Sequence, residues 1–320
     1  MIMNNLDLYQ YTYDLVRQIP NGKISTYGAV AKALGDIRAS RAVGRMMNQN
    51  PDADAMPCFK IVQSDGHLGG FGLGLEDKIR RLQEDNVEVQ SDEIVDFDTL
   101  LYNNFKTDYP LQALRNKQLD ISSKVTTTDV LKEEEIKYVA GFDVAYPFFD
   151  DWTESCGACV IYDIESNEIV EQKTIFSQVM FPYIPTYLSF REYPFIETLF
   201  NKLENKPSVL LTDGNGILHP LKCGLACYAG VSLDMVTIGV AKNKLCGTQK
   251  NDNTIEWNNE TVGYAFTVNS RIKNPVFISP GHMISLQTSI NIVKKMSKFK
   301  QPEPLRQAHK LATETLRKHS

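Results

Sequence analysis

Apolar side chains recur at helical spacing in three short segments of the first 50 residues: LDLYQYTYDLVRQI, TYGAVAKAL and SRAVGRMMNQN. Steps of three and four residues place them on one face of a helix. Pro20-Asn21-Gly22 ends the first predicted helix, and Gly35 ends the second. The last two helices, joined by a tight turn, form the outline of a helix-turn-helix. The second of these helices carries Arg41 and Arg45. A basic second helix in such a pair is the one that would enter a DNA groove.

Farther along, the pattern alternates between strands and helices. KYVAGFDVAY, CGACVIYDI and EIVEQKTIF predict strands, two of them adjacent in a meander, while SVLLTDGNGIL and MVTIGVAK have the nearly continuous apolar runs of buried strands. Helical patterns flank them, and an acidic, less regular stretch precedes the block. We therefore predict a small helical domain over residues 1–92, a linker over 93–108 and an α/β domain over 109–320.

Composition is compatible with two separate cores, since 42% of the 320 residues are hydrophobic. The formal net charge is −5, so any nucleic-acid contact must come from a local basic surface or a bound metal. The chain has neither an apolar run of about 18 residues nor a secretory signal, which predicts a cytoplasmic protein that does not bind membranes. Cys156, Cys159, Cys223 and Cys227 have a spacing compatible with zinc, but buried free thiols explain them better.

Three acids have positions suited to catalysis. Asp143 lies in the first predicted strand, Asp213 ends a later strand before glycines, and Glu192 lies on the helix between them. A carboxylate at the carboxyl end of a strand points into the crevice where α/β proteins bind ligands. Such carboxylates hold hard divalent cations, which cleave phosphodiesters by activating water. Taken singly, such an acid is more often a turn former or a helix cap than a catalytic group.

Three basic side chains add to this group. His219 and His282 occur in the glycine- and proline-rich sequences GILHP and SPGH, which we interpret as loops where a histidine orders water or pairs with phosphate. Lys242 ends the strand IGVAK, where its ammonium group would meet a phosphate. The alternative for Lys242 is an ordinary surface lysine.

The segments GFDVAY, FPYIPTYLSFRE, LLTDGNGILHP, TIGVAKNKLCG and SPGH occur in the order found in endonuclease V. This resemblance extends over residues 110–308. It implies an RNase H-like fold with a mixed sheet flanked by helices. It also implies a Mg²⁺-dependent nuclease, with Mn²⁺ as an alternative ion, that nicks DNA on the 3′ side of deoxyinosine. RNA containing inosine is an alternative substrate.

By position in the family, Asp143, Glu192 and Asp213 correspond to the metal-binding acids. Lys242 and His282 match positions near the metal and the attacked phosphate, and His219 is a further candidate for contact with DNA.

The segment Pro182–Pro185 provides Tyr183, which matches the residue that wedges the duplex open, because an aromatic face can stack on a base. The flipped base would enter a pocket that reads hypoxanthine largely with backbone groups. The matching positions are Thr186, Leu188, Asp213 and Gly214. Leu221 and Tyr228 stand where the family usually has Arg and His, which points to a change in substrate preference or phosphate contact.

Residues 6–89 resemble a second family, the C-terminal domain of O6-alkylguanine-DNA alkyltransferases, through IPNGKISTYGAVAKAL, RAVG and Pro57-Cys58. The resemblance implies that Cys58 accepts the alkyl group. It also implies that Arg41 fills the gap left by the flipped base, Tyr27 handles the nearby phosphate and Asn50 shapes the site. The implied ligand is DNA containing O6-alkylguanine, beside DNA containing deoxyinosine for the nuclease.

One departure concerns proton transfer. In that family a His beside the Cys activates the thiol and a downstream Glu supports the His, whereas here the two positions hold Phe59 and Asp85. A thiol reacts as its thiolate, so another group such as Lys60 would have to lower its pKa. Three interpretations stay open: Cys58 accepts alkyl groups slowly, the domain only binds damaged DNA, or Cys58 is a buried small hydrophobe.

Overall fold

The computed structural model describes residues 6–50, 52–147, 154–269 and 274–319. The chain divides into two compact units. Unit 1 contains residues 1–116 together with the short segment 180–185, and unit 2 contains residues 117–179 and 186–320. In the described ranges no helix combines the length and apolar character needed to cross a bilayer.

Unit 1 is mainly helical, with two small pairs of strands. Its elements in chain order are α1 (Leu8–Val16), β1 (Ser25–Thr26), α2 (Tyr27–Leu34), α3 (Ser40–Asn48), β2 (Ile61–Val62), α4 (Leu75–Glu84), β3 (Val89–Gln90), β4 (Glu93–Ile94), α5 (Phe97–Leu100) and α6 (Pro110–Lys124), the last of which continues into unit 2. Strands β1 and β2 are parallel, and β3 and β4 form an antiparallel hairpin.

The predicted helix-turn-helix is present as α2 and α3. The Thr26 hydroxyl caps α2 by accepting from the Ala29 amide at 3.0 Å, and Gly35 ends the helix with φ = 104°, a left-handed conformation that glycine adopts without strain. A short 3-10 turn, Ile37–Ala39, leads into α3. The buried Tyr13 hydroxyl donates to the Met46 carbonyl at 3.1 Å, which ties α1 to α3.

Residues 93–108, which the sequence suggests as a linker, pack within unit 1. Strand β4 and helix α5 lie in this interval, and Phe97 packs against the small core around Ile24. The Ile24 amide donates to the Leu100 carbonyl at 3.1 Å, and the Tyr102 amide donates to the Ile24 carbonyl at 2.7 Å. These backbone bonds anchor the interval because they satisfy groups that a free linker would leave to water.

Unit 2 is an α/β structure around one large sheet. Its remaining elements are β5 (Tyr138–Ala145), β6 (Glu154–Asp163), β7 (Ile169–Gln178), α7 (Leu188–Lys202), β8 (Val209–Thr212), α8 (Leu225–Leu233), β9 (Val236–Ala241), β10 (Thr248–Gln249), β11 (Thr254–Trp257), β12 (Glu260–Phe266), β13 (Val276–His282), α9 (Leu286–Met296) and α10 (Glu303–His319). The nine strands have the order β10-β11-β12-β13-β9-β8-β5-β6-β7. The central strands β9, β8 and β5 are parallel, and the other pairs are antiparallel.

The mixed sheet of unit 2 and the mainly helical unit 1 confirm the predicted fold class. The β5–β6–β7 meander is also confirmed. Strands β10 to β13 were not predicted, and SPGH, which we interpreted as a loop, forms the end of β13.

Strand β5 alternates between two faces, as successive side chains in a strand must. Ala140, Phe142 and Val144 belong to the core cluster that includes residues of α7 and α8. Gly141 lies on the opposite face, and a Cβ there would come within 2.2 Å of the Pro304 carbonyl carbon. The absence of a side chain therefore lets the backbone of α10 rest on β5. By the same alternation, Asp143 lies on the face toward α10.

Candidate nuclease and alkyl-acceptor sites

Two of the predicted acids meet at the carboxyl ends of neighbouring parallel strands. Asp143 is near the end of β5, and Asp213 directly follows β8. Phe142 pairs with Thr212 across the two strands, and the Asp213 amide approaches the Phe142 carbonyl at 3.4 Å. Both carboxylates are largely shielded, with Asp143 8% exposed. Parallel pairing thus brings together acids that are 70 residues apart in sequence.

The third acid comes from a helix. Glu192 lies in the first half of α7 and is 7% exposed. The Tyr146 hydroxyl, from the segment just after β5, donates to Glu192 Oε1 at 2.8 Å. The Arg191 guanidinium lies 4.2 Å from the centre of the Tyr146 ring and supports its position. Tyr146 therefore directs the carboxylate of Glu192, a role that sequence reasoning missed.

A histidine on the C-terminal helix completes the cluster. His309 Nδ1 lies 2.6 Å from Asp143 Oδ2, and this hydrogen bond raises the pKa of the His309 imidazole. His309 is in QPEPLRQAH, where it reads as an ordinary polar residue of an amphipathic helix. Only the direct packing of α10 on β5 brings it to the acids. Sequence reasoning selected a different histidine for this position.

That histidine, His282, lies at the opposite end of the central strands, near the start of β9. It ends β13 and pairs with Thr237 at the start of β9, whereas Lys242 follows the last residue of β9. The five-residue separation along the strand corresponds to about 16 Å. His282 is 5% exposed, and its Nδ1 accepts from the Thr126 amide at 3.2 Å. We therefore correct the assignment: His282 is a buried structural residue, and His309 takes its place beside the acids.

Lys242 is where the sequence predicts it. Its Nζ lies 2.5 Å from Asp213 Oδ2, and the lysine side chain is 47% exposed. The ammonium group therefore partly neutralises an acid while it still faces solvent. From that position it can pair with a phosphate oxygen.

The electrostatics of the cluster favour a cation. Burial, reinforced by the charge of Asp143, raises the pKa of Glu192 to about 8, and the same two causes raise the pKa of Asp213. No three His, Cys, Asp or Glu side chains of the described ranges are already arranged around a common metal position. Instead His309 and Lys242 each neutralise one acid. The oxygen donors nevertheless fit a hard divalent ion, which would relieve the repulsion that raises these pKa values.

The predicted base-pocket residues lie around the start of α7. Leu188 is the first residue of α7, and a Cβ on Gly214 would lie 3.4 Å from its Cδ2. Thr186 precedes this helix with φ = 73°, and its carbonyl oxygen lies 3.1 Å from His219 Nε2. His219 is 1% exposed, so it is a buried contact of the pocket backbone and does not present a surface to phosphate. Tyr183, the predicted wedge, is 53% exposed.

The two departures from the family pattern have different surroundings. Tyr228 is 3% exposed and makes edge contacts with Phe190 and Tyr193, with ring centres 5.4 and 5.0 Å away. It therefore belongs to a core cluster that also contains Cys223. The backbone amide of Leu221 donates to His219 Nδ1 at 3.1 Å, so Leu221 contacts His219 through its backbone. The cysteines are free thiols, in agreement with the preferred interpretation from sequence.

In unit 1, Asn50 and Cys58 are brought together as the resemblance implies. Asn50 Nδ2 lies 3.2 Å from Cys58 Sγ, and Cys58 is 5% exposed at the start of a short 3-10 turn. Burial raises the pKa of the Cys58 thiol, and the hydrogen bond from Asn50 only partly opposes this. Burial also lowers the pKa of Lys78, whose ammonium group donates to the Ile61 carbonyl, to about 8.

The expected proton relay is replaced by an ion pair. Lys60 Nζ lies 2.8 Å from Asp85 Oδ2, with side-chain exposures of 4% and 11%. The same ammonium donates to the Pro20 carbonyl at 3.0 Å, and Asp85 accepts from the Gly22 amide at 3.1 Å. The carboxylate of Asp85 is thus bonded to Lys60 and to the turn at residues 20–22. Lys60 therefore holds this turn, and it is not the group that activates Cys58.

The remaining predicted DNA contacts are on the helix-turn-helix. Tyr27 begins α2, and burial, with a smaller effect of Cys58, raises the pKa of its phenol. A Cβ on Gly69 would lie 3.3 Å from the Tyr27 hydroxyl. Arg41 is exposed in the first turn of α3.

Comparison with known proteins supports both family resemblances. Residues 119–310 match the family model of endonuclease V, and residues 7–87 match that of the 6-O-methylguanine DNA methyltransferase DNA binding domain. A bifunctional methyltransferase/endonuclease of Picrophilus torridus is 41% identical over 96% of each chain. One from Thermoplasma volcanium is 36% identical over 96% of this chain and 90% of its own.

A solved structure extends the comparison to unit 2. Endonuclease V of Ciona intestinalis, in complex with a 24-mer DNA that contains an inosine followed by a ribo-adenosine, is 28% identical with a TM-score of 0.60. The match covers 67% of this chain and all of that one. Fold and acid cluster together thus define a nuclease of the endonuclease V class. The full-length matches add that the chain belongs to the family of bifunctional methyltransferase/endonucleases.

Proposed function

We propose that this protein is a bifunctional DNA repair enzyme. Its rear part nicks DNA on the 3′ side of deoxyinosine, and its front part transfers the alkyl group of O6-alkylguanine to Cys58. The convergence of Asp143, Asp213 and Glu192 from two strands and a helix is the observation that carries the nuclease proposal. The front part rests on the contact between Asn50 and Cys58.

For the nuclease, Asp143, Glu192 and Asp213 would hold Mg²⁺, with Mn²⁺ as the alternative. The bound ion supplies an activated water and steadies the leaving oxygen. His309 holds the carboxylate of Asp143 through its hydrogen bond, and Tyr146 does the same for Glu192. Lys242 faces solvent beside Asp213, where it can bind the phosphate that is attacked.

For alkyl transfer, the sulfur of Cys58 forms a bond to the alkyl carbon as the bond from that carbon to O6 breaks. The thiol proton leaves to solvent, the guanine oxygen keeps the electron pair of the broken bond, and the resulting anion binds a proton at N1 to give guanine. Each cysteine accepts one group. The alternative, a domain that binds the lesion without transfer, is favoured by the raised pKa of Cys58 and by the commitment of Asp85 to Lys60.

Matched oligonucleotides test the nuclease proposal. We expect Mg²⁺-dependent nicking of a duplex with one deoxyinosine and none of its adenine counterpart. Asp143→Ala should abolish nicking while DNA binding persists. Retained nicking by this variant would contradict the metal assignment, and faster cleavage of the matching RNA would make RNA the substrate.

Mass spectrometry tests the front part. After incubation with a duplex that carries one O6-methylguanine, the peptide with Cys58 should gain one methyl group, and Cys58→Ala should gain none. Tight binding without any gain of mass would establish the non-catalytic alternative.

A further inference from the structure

The turn before α7 contains a residue in an unfavourable backbone conformation. Thr186 has φ = 73°, in the left-handed region. A β-branched side chain is rare there because its Cβ crowds the following carbonyl oxygen. Such a residue keeps its conformation only when its surroundings hold it.

Two buried side chains hold the carbonyl of this residue. Gln118 Nε2, from α6, donates to the Thr186 oxygen at 2.8 Å, and His219 Nε2, from the loop after β8, lies 3.1 Å from the same oxygen. His219 Nδ1 accepts from the Leu221 amide, which leaves the proton on Nε2 and makes it a donor. Gln118 and His219 are 0% and 1% exposed.

We propose that Gln118 and His219 are positioning residues that fix Thr186 in its left-handed conformation and thereby set the selectivity of the base pocket. This inference rests on the proposed function, in which Thr186, Leu188 and Gly214 surround the flipped base. The ligand is a purine with an oxygen at position 6. A backbone N–H can donate to that oxygen, whereas it has no acceptor in the 6-amino group of adenine. The preference for such a purine over adenine therefore depends on the direction in which the backbone N–H groups of the pocket point.

The strain at Thr186 provides the test. Gln118→Met keeps the side-chain length but removes the amide group, which donates to the Thr186 carbonyl at 2.8 Å and to the Cys223 carbonyl at 3.4 Å. Thr186→Gly removes the strain, because glycine adopts positive φ freely. Gln287→Met is the control, since Gln287 is exposed on α9 and its side-chain amide donates to Asn291 Oδ1 at 3.0 Å on the same helix. Each variant of the full chain is assayed for Mg²⁺-dependent nicking of two duplexes that differ in one deoxyinosine or deoxyadenosine.

We expect Gln118→Met to reduce the preference for deoxyinosine by about three- to tenfold, the effect of losing the hydrogen bond to the Thr186 carbonyl. The preference measured for Thr186→Gly itself is the reference for the second comparison. When Thr186→Gly is also present, Gln118→Met should reduce the preference for deoxyinosine by less than about twofold, since the strain that the hydrogen bond opposes is absent. The control should match the wild type.

Other outcomes would overturn the proposal. If Gln118→Met lowers the melting temperature but leaves the preference for deoxyinosine unchanged, the role of Gln118 is purely structural. An equal loss in both backgrounds would mean that strain at Thr186 is not what Gln118 opposes. If Gln118→Met does not fold, recovery of folding by added Thr186→Gly supports the inference, and failure to recover refutes it. A wild type without preference for deoxyinosine would instead refute the proposed function itself.

Discussion

Alkyl transfer to Cys58 should accelerate with pH across the whole neutral range. The thiolate is the form that attacks, and it accumulates only as pH approaches the pKa of the thiol. Burial raises that pKa, and the hydrogen bond to the sulfur from Asn50 Nδ2 at 3.2 Å only partly opposes this. A histidine relay is absent because Phe59 occupies its position and Asp85 is paired with Lys60.

The magnitude follows from the fraction of thiolate. A thiol with the ordinary pKa of about 8.5 is about 3% ionised at pH 7, and the raised pKa of Cys58 makes this fraction smaller. Below the pKa, each unit of pH multiplies the thiolate and hence the rate by about ten. From pH 6.5 to 8.5 the rate should rise about 100-fold. Loss of the charge on Lys78 above its pKa of about 8 should flatten the upper end, because its ammonium favours the thiolate.

The assay is the initial rate of methyl gain on the Cys58 peptide. It uses a duplex with one O6-methylguanine in buffers of constant ionic strength, with the concentration of bound complex measured at each pH. Asn50→Ala should lower the rate at every pH, since it removes the donor to the sulfur. Asp85→Asn should leave the slope unchanged, because Asp85 does not touch Cys58.

A rate that is constant between pH 6.5 and 8.5 would refute this reasoning, because it would require a group that deprotonates Cys58 at neutral pH. A change in the slope of rate against pH in Asp85→Asn would also refute it, because it would mean that Asp85 takes part in proton transfer from Cys58.

Three further predictions concern other contacts. Asp85→Asn should destabilise unit 1 by roughly 3–5 kcal/mol, since it leaves the buried charge of Lys60 unpaired, and hydrogen exchange of unit 1 peptides measures the loss. Tyr146→Phe should weaken Mn²⁺ binding about fivefold, the effect of losing one hydrogen bond to Glu192, as titration calorimetry of the protein without DNA would detect. Tyr183→Ala should slow nicking of duplex DNA more than of single strands, if this exposed ring opens the duplex.

Each of these predictions has a contrary result. Unchanged exchange in Asp85→Asn would mean that the ion pair contributes nothing to folding. If Tyr146→Phe lowers only the melting temperature and leaves Mn²⁺ affinity intact, Tyr146 has a structural role alone. Equal slowing of duplex and single-stranded cleavage by Tyr183→Ala would exclude a wedge.

The sequence predicts the centre of unit 2 well because local patterns encode it. Continuous apolar runs identify β8 and β9, and several acids placed at the ends of buried strands together indicate a site, although each acid alone does not. Asp143 and Asp213 could therefore be chosen from sequence. The helix-turn-helix could be predicted for the same reason, since Gly35 and the spacing of apolar residues indicate it directly.

The remainder depends on contacts between distant segments. His309 reaches Asp143 only because Gly141 lets α10 approach β5, and no local pattern encodes that approach. SPGH suggests a loop by its Pro and Gly, yet Pro280 pairs with Ile238 next to an irregularity in the strand register. The pairing of Lys60 with Asp85 likewise joins residues 25 positions apart. Geometry of this kind decides which of several candidate histidines or lysines serves a site.

The dependence of the acid cluster on α10 also orders events during synthesis of the chain. Asp143, Glu192 and Asp213 have all been made once translation passes residue 213, but the helix that brings His309 to them spans residues 303–319. Almost all of unit 1 is complete by residue 116. A nascent chain on the ribosome can therefore contain Asn50, Cys58 and almost all of unit 1 well before α10 is made, so interrupted translation would release a chain in which Asp143 lacks its contact with His309.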